Sequence, residues 1–262
     1  VRDLSDAIGF PEVALSVALV VIGIVISRMR RVGLEGQIGI ALFRSFAQLL
    51  AVGYVLDFVF RGHGGLTAVV LAFMVAAAAF TSGGRARGVP EARWVAGAAV
   101  AVATASTLGL LAALDIVPVV ARAMVPLGSM VISNAMVTTS LVMTSLYDGL
   151  ADDRREVEAR LSLSETGREA ASPWVRRALR TGMLPIVDNT KVVGLVALPG
   201  AMTGMILAGA SPLDAIRLQL VVMYLILGGN AFAALVAGEL TVRRLFTPAH
   251  QLARGVRRAA TG

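Results

Sequence analysis

Cysteine is absent from the 262 residues, histidine occurs twice, and lysine occurs once, at Lys191. Without cysteine there are no disulfides and no thiolate metal ligands. With its one lysine inside an apolar run and no G-x-x-x-x-G-K-[ST] pattern, the chain has no phosphate loop of its own. Charge is scarce too, at 16% of residues, and aromatics make up 5%. Neither a nucleophile–base set nor a metal-ligand cluster can be read, which argues against an enzyme. Apolar residues, by contrast, supply 56% of the chain, and mean hydropathy is +0.77. A soluble domain of this size has no room to hide that much apolar surface, so the chain is an integral membrane protein. The net charge of +7 does not indicate nucleic acid, because the arginines sit in short loops between apolar runs with few aromatics among them.

The apolar runs predict an all-α, polytopic membrane protein with about seven spans. They cover 11–27, 36–60, 66–80, 94–114, 123–146, a segment starting near Pro185, and 213–240. The Arg28-Met-Arg-Arg31 cluster follows the first run rather than preceding it, as in a spanning helix and unlike a signal peptide. Eighteen arginines fall in the segments assigned to the cytoplasm and three outside, while Arg44, Lys191 and Arg217 lie within spans. That bias places the N-terminus out and the C-terminus in. The whole chain, 1–262, reads as one transmembrane domain. Its single long polar segment is 147–184, and a basic cytoplasmic tail occupies 241–262. Within the polar segment, the sequence predicts one helix over 152–163 and a second, basic one over 173–181 that contains Trp174 and opens at Pro173.

The segment 183–209 carries the most chemistry. Asp188 and Lys191 stand three residues apart, on one side of a helix. Pro199-Gly200 is expected to break the helix in mid-span, and Gly200-x-x-x-Gly204 leaves a flat face for a neighbouring helix or a second copy. If the span starts at Pro185, Asp188 falls in its first turn, where the helix dipole favours a carboxylate. Arg44 and Gln48, at i, i+4 in the second run, face either a polar cavity or the interface. In the fifth run, Ser129, Ser133, Met136, Ser140, Met143 and Thr144 share an arc of about 100°, with Asn134, Thr138 and Ser145 beside it. Such a stripe serves as helix–helix glue or lines a translocation route. Asn134, Ser133, Met136, Pro199, Gly200 and Thr203 are, with Asp188, Lys191, Arg44 and Gln48, the candidate pathway residues.

The residues Leu184 to Gln219 resemble the signature of FetB-type permeases, the membrane subunits of a bacterial ABC transporter linked to iron export and related to plant permeases of aluminium tolerance. The resemblance extends through Arg44-x-x-x-Gln48-Leu, Gly53-Tyr-Val-Leu56, Asn134-Ala-Met136, Glu158-Ala-x-Leu161-Ser-Leu163 and His250-Gln-Leu252. It implies an ATP-driven exporter in the bacterial plasma membrane, built as a permease homodimer surrounded by lipid. ATP and Mg would be bound by a separate ATP-binding subunit rather than by this chain. It further implies that 158–171 seats on that subunit, through Glu158, Ala159, Leu161, Leu163, Thr166 and Glu169. Relatives carry Gly-Ala-Thr after Leu163 where this chain has Ser164-Glu165-Thr166, so the docking bend is expected to differ in shape. Iron is the implied cargo; an organic cargo such as a nucleotide sugar, with Arg44, Lys191 and Arg217 as phosphate contacts, and an ion-coupled carrier using Asp188/Lys191 are the alternatives.

Overall fold

A computed structural model describes residues 10–30, 33, 35–61, 64–196, 198–253 and 255–256. Arg2, Arg31, His63, Arg254, Arg257 and Arg258 lie outside the described residues. The chain divides into two compact units, 1–63 and 64–262.

In the first unit, helices α1 (Phe10–Met29) and α2 (Glu35–Phe60) form over the first two apolar runs. Gly33, at φ 75°, lies between them, in backbone space that glycine adopts without strain. Ser27 Oγ donates to Glu35 Oε1 at 3.3 Å across the turn.

The named elements of the second unit are all helical: a short 3₁₀ turn (Gly64–Leu66), then α3 (Thr67–Arg85), α4 (Ala92–Ala113), α5 (Ala121–Asp152), α6 (Arg154–Ser162), α7 (Gly167–Val192), α8 (Gly200–Leu207) and α9 (Pro212–Leu245). Five helices of the chain, α2, α3, α4, α5 and α9, are long and apolar enough to cross a membrane among the described residues. The core lies between α3, α4, α5, α7 and α9. It rests on small side chains, as the composition of the fourth run predicts: Val95, Ala96, Ala99, Val100 and Ala103 of α4 are all 0% exposed. Ser211 caps α9, accepting from Asp214 N at 3.2 Å, with Pro212 opening the first turn.

Several boundaries differ from the sequence reading. Helix α3 runs past Phe80 through Gly83 and Gly84. A Cβ at Gly83 would sit 2.6 Å from the backbone of Arg93, so this glycine lets α4 approach rather than ending α3. Helix α5 continues six residues beyond Leu146.

The largest correction concerns the sixth span. It is not a helix begun near Pro185: α7 starts at Gly167 and runs unbroken through both Pro173 and Pro185. Thr166 opens it with a capping box, its side chain accepting from Glu169 N while Glu169 Oε2 accepts from Thr166 N at 2.8 Å. Pro173 is therefore interior, not at a helix start. The break also comes earlier than Pro199-Gly200: the helix ends at Val192, the chain turns through Gly194 at φ 82°, and Pro199 caps the separate helix α8. Asp188 consequently lies near the C-terminal end of α7, where the dipole opposes a carboxylate and favours Lys191. Its expected place in a first turn is thereby overturned.

The segment 241–262 is not simply a tail. Its first five residues complete α9, and the chain then folds back, pairing Phe246 with Leu252 and burying Leu252 and Val256 at 7% and 1% exposure. Arg154 Nη1 donates to the Val256 carbonyl at 2.9 Å, which ties this return to α6.

Candidate functional site

Where α7 stops and α8 has yet to start, the second unit holds a cavity of about 290 Å³. Met130 and Asn134 of α5, Ile186 and Asn189 of α7, Pro199 and Gly200 at the break, and Gln219, Val222, Met223 and Ile226 of α9 are among its lining. Spacing explains the selection: Met130/Asn134 and Gln219/Met223 are i, i+4 pairs, and Ile186/Asn189 an i, i+3 pair, so each helix presents one stripe. None of the lining side chains among the described residues is charged. The polar equipment is three amides and two thioethers. Asn134 Nδ2 donates to the Met130 carbonyl at 2.8 Å, which orients that amide. Gln219 is 6% exposed, and its Oε1 has no hydrogen-bond partner among the described residues. A buried acceptor left unpaired costs about 1–3 kcal/mol; a passing ligand that donates to it, or a cation that it coordinates, recovers that energy.

Of the expected pathway residues, Asn134, Pro199 and Gly200 meet at this cavity. Asp188 and Lys191 do form an ion pair, Nζ to Oδ1 at 3.0 Å, but they are 58% and 68% exposed and do not line it. Ser133 is exposed and donates to the Met130 carbonyl at 3.1 Å. Met136 packs against the buried cluster that includes Ala78, Val100 and Ile132, and Thr203 returns its hydroxyl to the Pro199 carbonyl at 3.2 Å. Arg44 and Gln48 are exposed on α2, within the first unit. The stripe of the fifth run thus divides: Ser140 bonds Ser82 Oγ at 3.1 Å and Met143 is fully buried, as glue, while Asn134 alone reaches the cavity. Met130, Asn189, Gln219 and Met223 are the lining groups that the sequence reading missed. A glutamine inside the apolar run of α9 was the one usable sign.

The α6–α7 turn is the second candidate surface. Trp174 is buried against α5, its Nε1 donating to Asp153 Oδ2 at 2.9 Å, and Gly149 leaves it space, since a Cβ there would lie 2.8 Å from the indole. Leu161 packs on the same core. Glu158 pairs with Arg154 at 2.7 Å, Ala159 is exposed, and Leu163 stands 76% exposed at the turn. Beside it, Arg160, Arg168, Glu169, Ser172, Pro173 and Arg176 surround a concave surface of about 670 Å³.

Hydrogen bonds from the Thr166 N–H and hydroxyl hold the Glu169 carboxyl below its usual range. A depressed carboxylate stabilises the fold above its unfolded pKa and ceases to do so as pH falls through the lowered value. The protection of the amides in the first turn of α7, after correction for the intrinsic pH dependence of exchange, is therefore expected to fall as pH drops below the ordinary glutamate range, and Thr166→Ala to lower that protection already at neutral pH.

The fold and the cavity define an all-helical, multi-pass membrane protein with a broken helix beside an uncharged pocket. The chain belongs to the Uncharacterised protein family (UPF0014), whose model matches residues 10–246. It is 39% identical over 247 residues to the rice (Oryza sativa subsp. japonica) "UPF0014 membrane protein STAR2", covering 94% of this chain and 86% of that one. To "Protein ALUMINUM SENSITIVE 3" of Arabidopsis thaliana it is 38% identical over 245 residues, covering 93% and 90%. To the "Probable iron export permease protein FetB" of Escherichia coli K12 it is 32% identical over 242 residues, covering 92% and 93%. No solved structure matches the chain.

Proposed function

We propose that this protein is the membrane subunit of an ATP-driven exporter whose cargo is a metal ion, iron first. The observation that carries the reading is the cavity at the α7–α8 break. Interrupted helices beside a polar pocket are the usual way for a spanning segment to expose backbone and side-chain groups to a cargo. Amide oxygens and thioethers hold a cation weakly enough to release it, as export requires. Full-length similarity to a protein named a probable iron export permease supports the cargo. Lys191 and Arg217 are each paired with a carboxylate, at 3.0 and 3.2 Å, and neither lines the cavity, so a phosphate-bearing cargo gains less from them.

Energy would come from a separate ATP-binding subunit, which supplies the ATP and Mg sites. It seats on the α6–α7 turn, where the exposed Leu163 is the apolar anchor and Glu158, Ala159, Thr166 and Glu169 shape its surroundings. Gly200 and Gly204 have open space where a Cβ would stand, which suits a seam with a second copy. The setting is the bacterial plasma membrane, with the N-terminus outside and the α6–α7 turn in the cytoplasm.

The test is uptake of ferrous iron by inside-out vesicles carrying this chain with its ATPase: ATP-dependent accumulation is expected, and none would refute the proposal. Leu163→Asp should abolish co-purification of the ATPase while leaving the permease inserted, because the side chain supports no internal packing. Unchanged co-purification would remove the turn from the docking surface. Leu161→Asp is the poorer probe, since Leu161 packs on the chain's own core.

A further inference from the structure

Gln219, Asn230 and Thr241 recur at eleven-residue intervals along α9. Eleven residues make just over three helical turns, so the three side chains form one row with about 16 Å of rise between neighbours. They are buried at 6%, 2% and 0% exposure. Each carries a side-chain oxygen without a hydrogen-bond partner among the described residues: Gln219 Oε1, Asn230 Oδ1 and Thr241 Oγ1. Thr139 Oγ1 of α5, fully buried, is the only other such side-chain atom among the described residues. The row starts in the cavity, which Gln219 lines, and ends beside Arg243 and Arg244.

Its direction follows from the glycines on either flank. Gly229 approaches Val131 of α5 and Thr107 of α4, and Gly238 approaches Val142 of α5 and Leu179 and Val175 of α7. Helix α5 is common to both flanks, so the row faces α5. Between Asn230 and Thr241 the buried face of α9 is Ala233, Ala234, Ala237 and Gly238, small enough that a modest parting of the two helices opens a continuous strip. Unpaired buried polar groups are rare in proteins, and an interface required only to stay shut would carry apolar side chains at these positions.

We infer that this row is the closed cargo route between the cavity and the Arg243–Arg244 end of the molecule, opened when α5 and α9 part during the transport cycle. The inference rests on the permease reading above. Neutral oxygens at intervals replace water lost by the cargo without binding it at any one level, as a fixed carboxylate would.

Two measurements test it. Gln219→Met, Asn230→Leu and Thr241→Val remove the oxygens at similar volume. ATP-driven uptake of ferrous iron is expected to fall by about tenfold or more, with the melting temperature in detergent unchanged or raised, because an unpaired polar group has been replaced by an apolar one. A lowered melting temperature with uptake kept in proportion to folded protein would make these residues structural and overturn the route.

The absence of native cysteine makes the second measurement direct. In inside-out vesicles, Asn230→Cys and Thr241→Cys are expected to react with an impermeant thiol reagent only when ATP is supplied, while Val100→Cys, buried in α4, stays unreactive. No labelling in vesicles that accumulate iron would overturn the route and leave the exporter standing. No ATP-dependent accumulation by the parent chain would remove the exporter, and the route with it.

Discussion

A Trp174→Ala chain is expected to lose about 3–5 kcal/mol of stability, the usual cost of emptying a buried aromatic site. It should also lose the fixed geometry of the α6–α7 turn. Trp174 is 3% exposed and sits in a notch that Gly149 leaves open. Its Nε1 holds Asp153, the residue between α5 and α6, and Arg160 of α6 lies 5.9 Å from the ring centroid. One side chain of α7 therefore positions both the start of α6 and its last turn. Trp174→Phe keeps most of the packing but leaves Asp153 without this donor, so the expected cost falls to about 1–3 kcal/mol. Thermal unfolding in detergent reads both values. If Trp174→Ala melts with the parent, the indole is not the anchor of the turn. Partner binding gives a second reading, because the turn that displays Leu163 should lose the ATPase even though Leu163 itself is intact.

The second large effect is expected at Gly182, where α7 crosses α5 below the cavity. A Cβ at this position would stand 2.5 Å from Val142 Cγ2 and 3.1 Å from the Thr138 carbonyl. The Thr138 hydroxyl donates to the Gly182 carbonyl at 3.3 Å, so the two backbones are held together as well as merely fitting. Gly182→Ala forces the helices apart, at about 1–3 kcal/mol for an overpacked core. The displacement reaches the cavity, because Ile186 and Asn189 lie one and two turns further along α7. Transport is expected to fall with stability. Adding Val142→Ala removes the nearer obstacle and should restore part of both, leaving the carbonyl contact unrelieved. A double mutant no better than the sum of its parts would show that Gly182 and Val142 do not share this packing defect.

Much of the membrane architecture was legible because it depends on local composition. An apolar run of twenty residues means the same thing wherever it occurs, and the first five predicted spans and the last have helices in the structure. The sixth failed for an identifiable reason. Proline at 173 and 185 and charge through 168–180 suggested a polar loop followed by a new helix. In the fold, α7 keeps its arginines on the exposed side while Ala170, Ala171, Trp174, Ala178 and Gly182 pack inward. That tertiary burial carries the helix through both prolines. The position of the break was misjudged on the same ground. Pro199-Gly200 marks the start of α8, and it is Gly194, with its positive φ, that turns the chain after α7.

The sequence by itself determined the class of this protein: a polytopic helical membrane chain, with neither cysteine nor a phosphate loop, and with a polar turn set between apolar helices. These are properties of composition and of one-dimensional order, and folding does not alter them. Only the tertiary structure decided which polar residues act together. Asp188 and Lys191, the most conspicuous charges in the sequence, pair with each other away from the cavity, while Asn134, Asn189, Gln219, Met130 and Met223, from three helices, converge on it. Sequence spacing tells which residues share a face of one helix, but the faces that meet are chosen by how the helices pack. In this bundle that choice is set by small residues, Gly182 against Val142 and Gly229 against Val131.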